Sequence, residues 1–150
     1  MKTTFFAVTF NLLITLVIAS RVFAHCEIPC GIYDDELRVK TISENAHTIE
    51  KSMMKIEELS GETPVNYNQL VRWISNKETH ADEIQHIVSR YFLTQRIKPD
   101  TDRYSEKLAT LHQMLIESMK CKQTTDVSHV ANLRSLLEKF VSLYFTAGGE

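Results

Sequence analysis

The chain has 150 residues, with 17 basic and 19 acidic side chains and a formal charge of −2. That balance argues against a nucleic-acid binder, which normally carries a basic patch, and the length suits one domain with its own core. Four glycines and three prolines offer few of the turns that an all-β architecture needs.

Residues 1–24 open with Lys2 and continue through Phe5, Phe6, Val8, Phe10, Leu12, Leu13, Ile14, Leu16, Val17 and Ile18. A basic start, an apolar stretch, and Val22 and Ala24 at the two positions before a cut make a secretory signal peptide. The apolar run falls short of the ~20 residues of a membrane span and is interrupted by Asn11 and Thr15. We therefore expect cleavage after Ala24, export to the periplasm or the extracellular medium, and no stable membrane association afterwards. Removal of 24 residues leaves 126, and losing Lys2 and Arg21 moves the formal charge from −2 to −4.

The new first residue would be His25, in the run His25-Cys26-Glu27-Ile28-Pro29-Cys30-Gly31-Ile32-Tyr33. An α-amine has an ordinary pKa of ~7.7–8.0 and loses its proton near neutral pH. Amine, Cys26 amide and Cys26 sulfur close two fused five-membered chelate rings once the amide is deprotonated. Cys30 returns through the turn at Pro29 as a fourth in-plane donor, and the His25 imidazole can approach along the axis. Two nitrogens and two sulfurs in a plane suit Ni(II) or Cu(II), whereas zinc takes a tetrahedron. Spacing alone also admits a Cys26–Cys30 disulfide, the usual state of paired thiols in exported proteins. Three cysteines leave at least one unpaired, and Cys121 is expected to be a small core or interface residue.

Beyond residue 33 the apolar residues recur in steps of three and four, as in amphipathic helices. One stripe is Val39, Ile42, Ala46, Ile49, Met53 and Ile56. A second is Leu70, Ile74, Ala81, Ile84, Val88 and Tyr91, with Lys77 as its polar exception. A third is Tyr104, Leu108, Leu111, Leu115 and Met119, and a fourth Val130, Leu133, Leu137, Phe140 and Tyr144. Breaks fall at Gly61-Glu62-Thr63-Pro64, at Lys98-Pro99-Asp100 and at residues 122–126, which end in plausible N-cap residues. The pattern predicts an all-α, antiparallel four-helix bundle over about 34–145, with helices near 34–60, 67–95, 102–121 and 126–145. Residues 25–33 form an irregular lead-in hook, and 25–150 one domain. Glu44-x-x-His47 and Glu83-x-x-His86 match the di-iron bundle element, but at ~100° per residue both pairs project away from the apolar stripes. Trp73, Met53 and Met54 fit packing.

The pattern His25-Cys26-x-x-Pro29-Cys30-Gly31-x-Tyr33 resembles the N-terminal metal-binding hook of the nickel superoxide dismutases, and the helical body agrees with that family's fold. The resemblance implies conversion of superoxide to dioxygen and hydrogen peroxide by Ni(III)/Ni(II) cycling, with one nickel ion per subunit. It assigns the amine and axial imidazole to His25, amide nitrogen and thiolate to Cys26, and the second thiolate to Cys30. Tyr33 would stand over the open face of the metal, ordering water and limiting access. Pro29 and Gly31 would shape the turn, with a cis Ile28–Pro29 bond as one option. It implies a homohexamer that shelters the hooks. Some members carry a glutamate behind the axial histidine; here the corresponding position is Thr41, leaving Glu36 or Glu44 as substitutes. Lys40, Lys51, Lys55, Arg72 and the positive end of the first helix are the candidates for drawing in the superoxide anion. The competing reading is a non-enzymatic secreted helical module whose thiols form a disulfide or hold metal passively.

Overall fold

The computed structural model describes residues 33–145, which form helices joined by short connections, with no strand among them. Helix α1 spans Asp35–Ser60, and α2 spans Tyr67–His86 and runs on directly as a π-helical segment over Ile87–Arg96. Helix α3 spans Tyr104–Gln123 and α4 spans Ser128–Phe145. Each helix packs on the next in sequence, and α4 closes back on α1. This is the expected antiparallel bundle, with ends displaced by two residues at most from the sequence reading.

The helix starts follow from local chemistry. The Asp34 carboxylate accepts the Leu37 N–H at 2.9 Å, and the Asn66 side chain accepts the Gln69 N–H at 3.2 Å. Each satisfies a donor that the first helical turn leaves without a partner. Asp126 takes the Ser128 N–H at 2.9 Å ahead of α4. The Thr63–Pro64 peptide in the α1–α2 connection is cis.

The first and fourth stripes meet in the core. Ile42, Ala46, Ile49, Met53, Val130, Leu133 and Phe140 are fully buried. Two stripes needed correction. Leu70 is only half-buried and Ile74 is 39% exposed. In α3 the buried face is Lys107, Thr110, Leu111, Met114, Glu117, Ser118 and Cys121, while Met119 is exposed. The α3 stripe was therefore drawn along one edge of the true face. The reason is that polar residues here satisfy themselves locally. Thr110 and Ser118 donate to the carbonyls of Glu106 and Met114, each at 2.8 Å, so their hydroxyls enter the core without an unpaired group.

The π segment is the larger departure, since residues 67–95 were expected as one α-helix. The Ile97 N–H reaches the Phe92 carbonyl, five residues back, at 2.9 Å. Side chains take up carbonyls at the same spacing: Thr94 Oγ1 donates to Ser89 O at 2.7 Å, and Gln95 Nε2 to Arg90 O at 3.1 Å. Wide turns of this kind are rare and concentrate at functional sites.

Candidate metal centre

The three expected metal ligands, His25, Cys26 and Cys30, lie outside the described residues, as do the signal peptide and the Ile28–Pro29 bond. What the structure describes is the ground on which that segment is rooted, beginning at Tyr33. Asp35, in the first turn of α1, is the hub. Its Oδ1 accepts the Tyr91 hydroxyl at 2.5 Å, and its Oδ2 accepts the Tyr144 hydroxyl at 2.7 Å. Arg96 grips the same carboxylate with Nε at 2.9 and 3.1 Å and Nη2 at 2.6 Å. Thus the root of α1, the π segment and the end of α4 are tied at one carboxylate.

Burial alone would raise the Asp35 carboxyl, but the hydrogen bonds from Arg96, Tyr91 and Tyr144 outweigh it and hold it below its ordinary 3.8. The same burial and the same carboxylate act oppositely on the phenols. Tyr144 is pushed up to about 12, and Tyr91 is raised further. Both phenols therefore stay protonated and donate to Asp35 at any physiological pH.

Tyr33 stands on this hub. It is 39% exposed. The Arg96 guanidinium carbon lies 4.3 Å from its ring centroid, and the Tyr91 ring meets it edge-on at 5.9 Å. Arg38 covers another face of Tyr91 at 5.2 Å. Both are cation–π contacts within the usual ~6 Å. Below them Tyr91, Phe92, Phe140 and Tyr144 continue as ring-on-ring contacts into the core, 4.8 to 5.7 Å between centroids.

A family model of nickel-containing superoxide dismutases matches residues 20–147, a span that includes His25, Cys26, Cys30, Tyr33 and the whole Asp35 hub. The chain belongs to that family. It is a nickel-dependent oxidoreductase with superoxide as its substrate. Comparison with curated proteins and with solved structures returned no match.

The remaining sequence candidates fall outside the enzyme's site. Cys121 is fully buried, and burial, helped by the Glu117 charge, pushes its thiol up to about 11. It is a core residue, as expected, and a poor thiolate donor. Glu44, His47, Glu83 and His86 are all exposed, so neither Glu-x-x-His pair faces the interior. Among the described residues no group of three or more His, Cys, Asp or Glu side chains is placed to hold a metal. His80 engages Asn45 at 2.6 Å and His129 engages Glu117 at 2.9 Å. Trp73 is half-buried under Lys51, Met53 is buried and Met54 is 62% exposed.

Two electrostatic expectations change. Lys51 lies sixteen residues along α1 from Asp35, ~24 Å at 1.5 Å per residue, and Arg72 and Lys55 belong to the same distant region. At a screening length of ~8 Å these charges do little at Tyr33. Lys40 is at this end of α1, exposed and beside Glu44 at 3.8 Å, and the cations in contact with the Tyr33 and Tyr91 rings are Arg96 and Arg38, which the sequence reading passed over. The positive end of α1 is also already answered, by Asp34, Asp35 and Glu36. Thr41 spends its hydroxyl on the Leu37 carbonyl at 2.8 Å, and Glu36 and Glu44 are exposed. The partly buried, multiply bonded carboxylate at this end is Asp35. It was missed because its partners lie 56, 61 and 109 residues away, and no local spacing rule connects them.

Proposed function

We propose that this nickel superoxide dismutase works at a new amino end made by cleavage after Ala24, with residues 25–33 as the metal-binding hook. His25 would hold the metal through its amine and imidazole, Cys26 through its amide nitrogen and thiolate, and Cys30 through its thiolate. The donor chemistry fits: deprotonated amide and thiolate are strongly electron-releasing, and soft sulfur with nitrogen suits nickel. Among the described residues nothing competes, since Cys121 is sealed in the core. Nickel would supply one-electron exchange between Ni(III) and Ni(II), a couple that these anionic donors bring into a useful range.

The other residues act on access and water. Tyr33 is three residues from Cys30, so their Cα atoms are at most ~11 Å apart by chain length alone. Its ring is held by Arg96 and Tyr91, and its hydroxyl has no hydrogen-bond partner among the described residues. A held ring whose hydroxyl engages none of the described residues suits the ordering of water beside the metal. Tyr91 and Tyr144 have committed their protons to Asp35 and are poor sources of the two protons that peroxide formation consumes. We place the enzyme outside the cytoplasm, in the periplasm or the external medium, as a homohexamer.

The observation that carries this reading is the family match, because it takes in the His-Cys-x-x-Pro-Cys run together with the bundle. The test is intact mass with metal analysis of the natural protein, followed by variants. We expect a product beginning at His25 with one nickel per chain. Cys26→Ser and Cys30→Ser should lose nickel and nearly all turnover, while Cys121→Ala keeps both. A His25→Ala chain should keep much of its nickel and turn over poorly. A natural product that retains Ala24, or a Cys26→Ser variant with full nickel and turnover, overturns the proposal.

A further inference from the structure

We propose that Asp35 and Arg96 are positioning residues for Tyr33, and that the π segment exists to bring Arg96 to that task. The inference rests on the reading of Tyr33 given above and adds to it the device that sets the ring in place.

The argument starts from helix geometry. In an α-helix, residues five apart point ~140° away from each other, from 3.6 residues per turn. Tyr91 and Arg96 are five apart, yet both reach Asp35. The wider turn over Ile87–Arg96, with its i to i+5 repeat, returns them to the same side. Arg96 then has two engagements at once. Its Nε and Nη2 edge is locked on Asp35, and its guanidinium carbon lies over the Tyr33 ring, 4.3 Å from the centroid. Asp35 is only 14% exposed and Arg96 28%, so the pair is sheltered and its geometry well defined. A guanidinium gripped at its edge is held in place, so the Tyr33 ring it lies over is held as well. Lysine cannot reproduce this: it is a point charge with neither fork nor plane.

Arg96 does not need to touch substrate for this role. Tyr33 is the residue beside the hook, and Arg96 acts through it. An ordinary structural ion pair would leave Tyr33 where it is when replaced by another ion pair, so Arg96→Lys separates the two roles.

The experiment uses the full mature chain labelled with 3-fluorotyrosine, free of nickel and loaded with it. Five tyrosines give five fluorine signals, and Tyr33 is assigned by its loss in Tyr33→Phe. Tyr67, 72% exposed at the start of α2, is the control. In Arg96→Lys we expect a folded protein with unchanged nickel content. Its Tyr33 signal should shift and narrow toward that of a freely rotating ring, with and without nickel, while the Tyr67 signal stays in place. Turnover should fall roughly tenfold, the scale of a modest misplacement near a reacting centre. The same change in a Tyr33→Ala background should cost nothing further. Asp35→Asn should move the Tyr33 signal in the same direction; if it does not fold, Arg96→Lys and Arg96→Gln still decide the matter. A Tyr33 signal unmoved in both Arg96 variants overturns the inference. So does a turnover loss in Arg96→Lys that persists undiminished without Tyr33. Full activity in Tyr33→Ala would instead remove the access role of Tyr33, and the nickel-free fluorine signals would still report on positioning.

Discussion

The two ends of the bundle each shelter a charge, Lys77 buried and Asp35 partly so, and they use it differently. At the far end Lys77, 4% exposed, donates to the carbonyls of Cys121 at 2.6 Å and Lys122 at 2.5 Å and to Glu78 at 3.1 Å. Those carbonyls belong to the last turn of α3, where helical partners run out, so the lysine caps a neighbouring helix. At the near end Asp35 takes side-chain donors from three directions and holds a guanidinium and two phenols. One charge mainly satisfies backbone, with a single side-chain partner, Glu78, beside it. The other organises the side chains that hold Tyr33. Burial and pairing alone therefore do not mark a functional residue; what the partners face does.

The strongest way to break the comparison is at the ring both halves of the near end lean on. Phe92 is fully buried and touches Tyr91, Phe140 and Tyr144. Phe92→Ala should cost ~3–5 kcal/mol, read by denaturant unfolding, and should disturb Tyr91 and Tyr144 together. A loss under ~1 kcal/mol would mean the near end is not packed as described.

Next comes Lys77→Met, which keeps the apolar stem and leaves the two α3 carbonyls short of their donor. Unfolding should show a loss of ~1–3 kcal/mol, the usual cost of an unsatisfied buried group. Turnover per bound nickel should stay at the wild-type level. A fall in turnover without a fall in stability would erase the distinction between the ends.

The pH dependence sharpens the contrast. Asp35 is depressed in the folded state, so its stabilising contribution is complete above its ordinary value of 3.8 and disappears as pH falls through the lower folded value. Asp35→Asn should therefore lower stability at pH 6–8, where the contribution is complete, and converge on the wild type as pH falls below 3.8, which flattens the acid limb. Tyr144 has the opposite sign. Its folded value of about 12 exceeds the ordinary 10.0, so its contribution is intact below pH 10 and is lost as pH climbs toward 12. Tyrosine absorbance should accordingly show Tyr144 ionising late, and Tyr144→Phe should remove that late step.

The smallest effect belongs to the exposed start of α2. Val71 is 59% exposed, and Val71→Ala should change stability by no more than ~0.5 kcal/mol, within the range of surface substitutions. It should leave turnover alone.

Much of this protein was legible from local order along the chain. Period-3.6 burial in α1 and α4, the cap residues at the joint ending in Asp126, and the family pattern from His25 to Tyr33 all depend on residues a few positions apart. The sequence also held the outward aim of Glu44, His47, Glu83 and His86, because helical phase decides it. What tertiary structure decided was whatever needs distant partners. The widened turn between Ile87 and Arg96 has no signal in its own residues. The Asp35 hub joins residues up to 109 positions apart. Which cations stand near Tyr33 depends on which helix ends meet. Phase along one helix is written in neighbouring residues, whereas convergence at one carboxylate is a property of how separate helices close on each other.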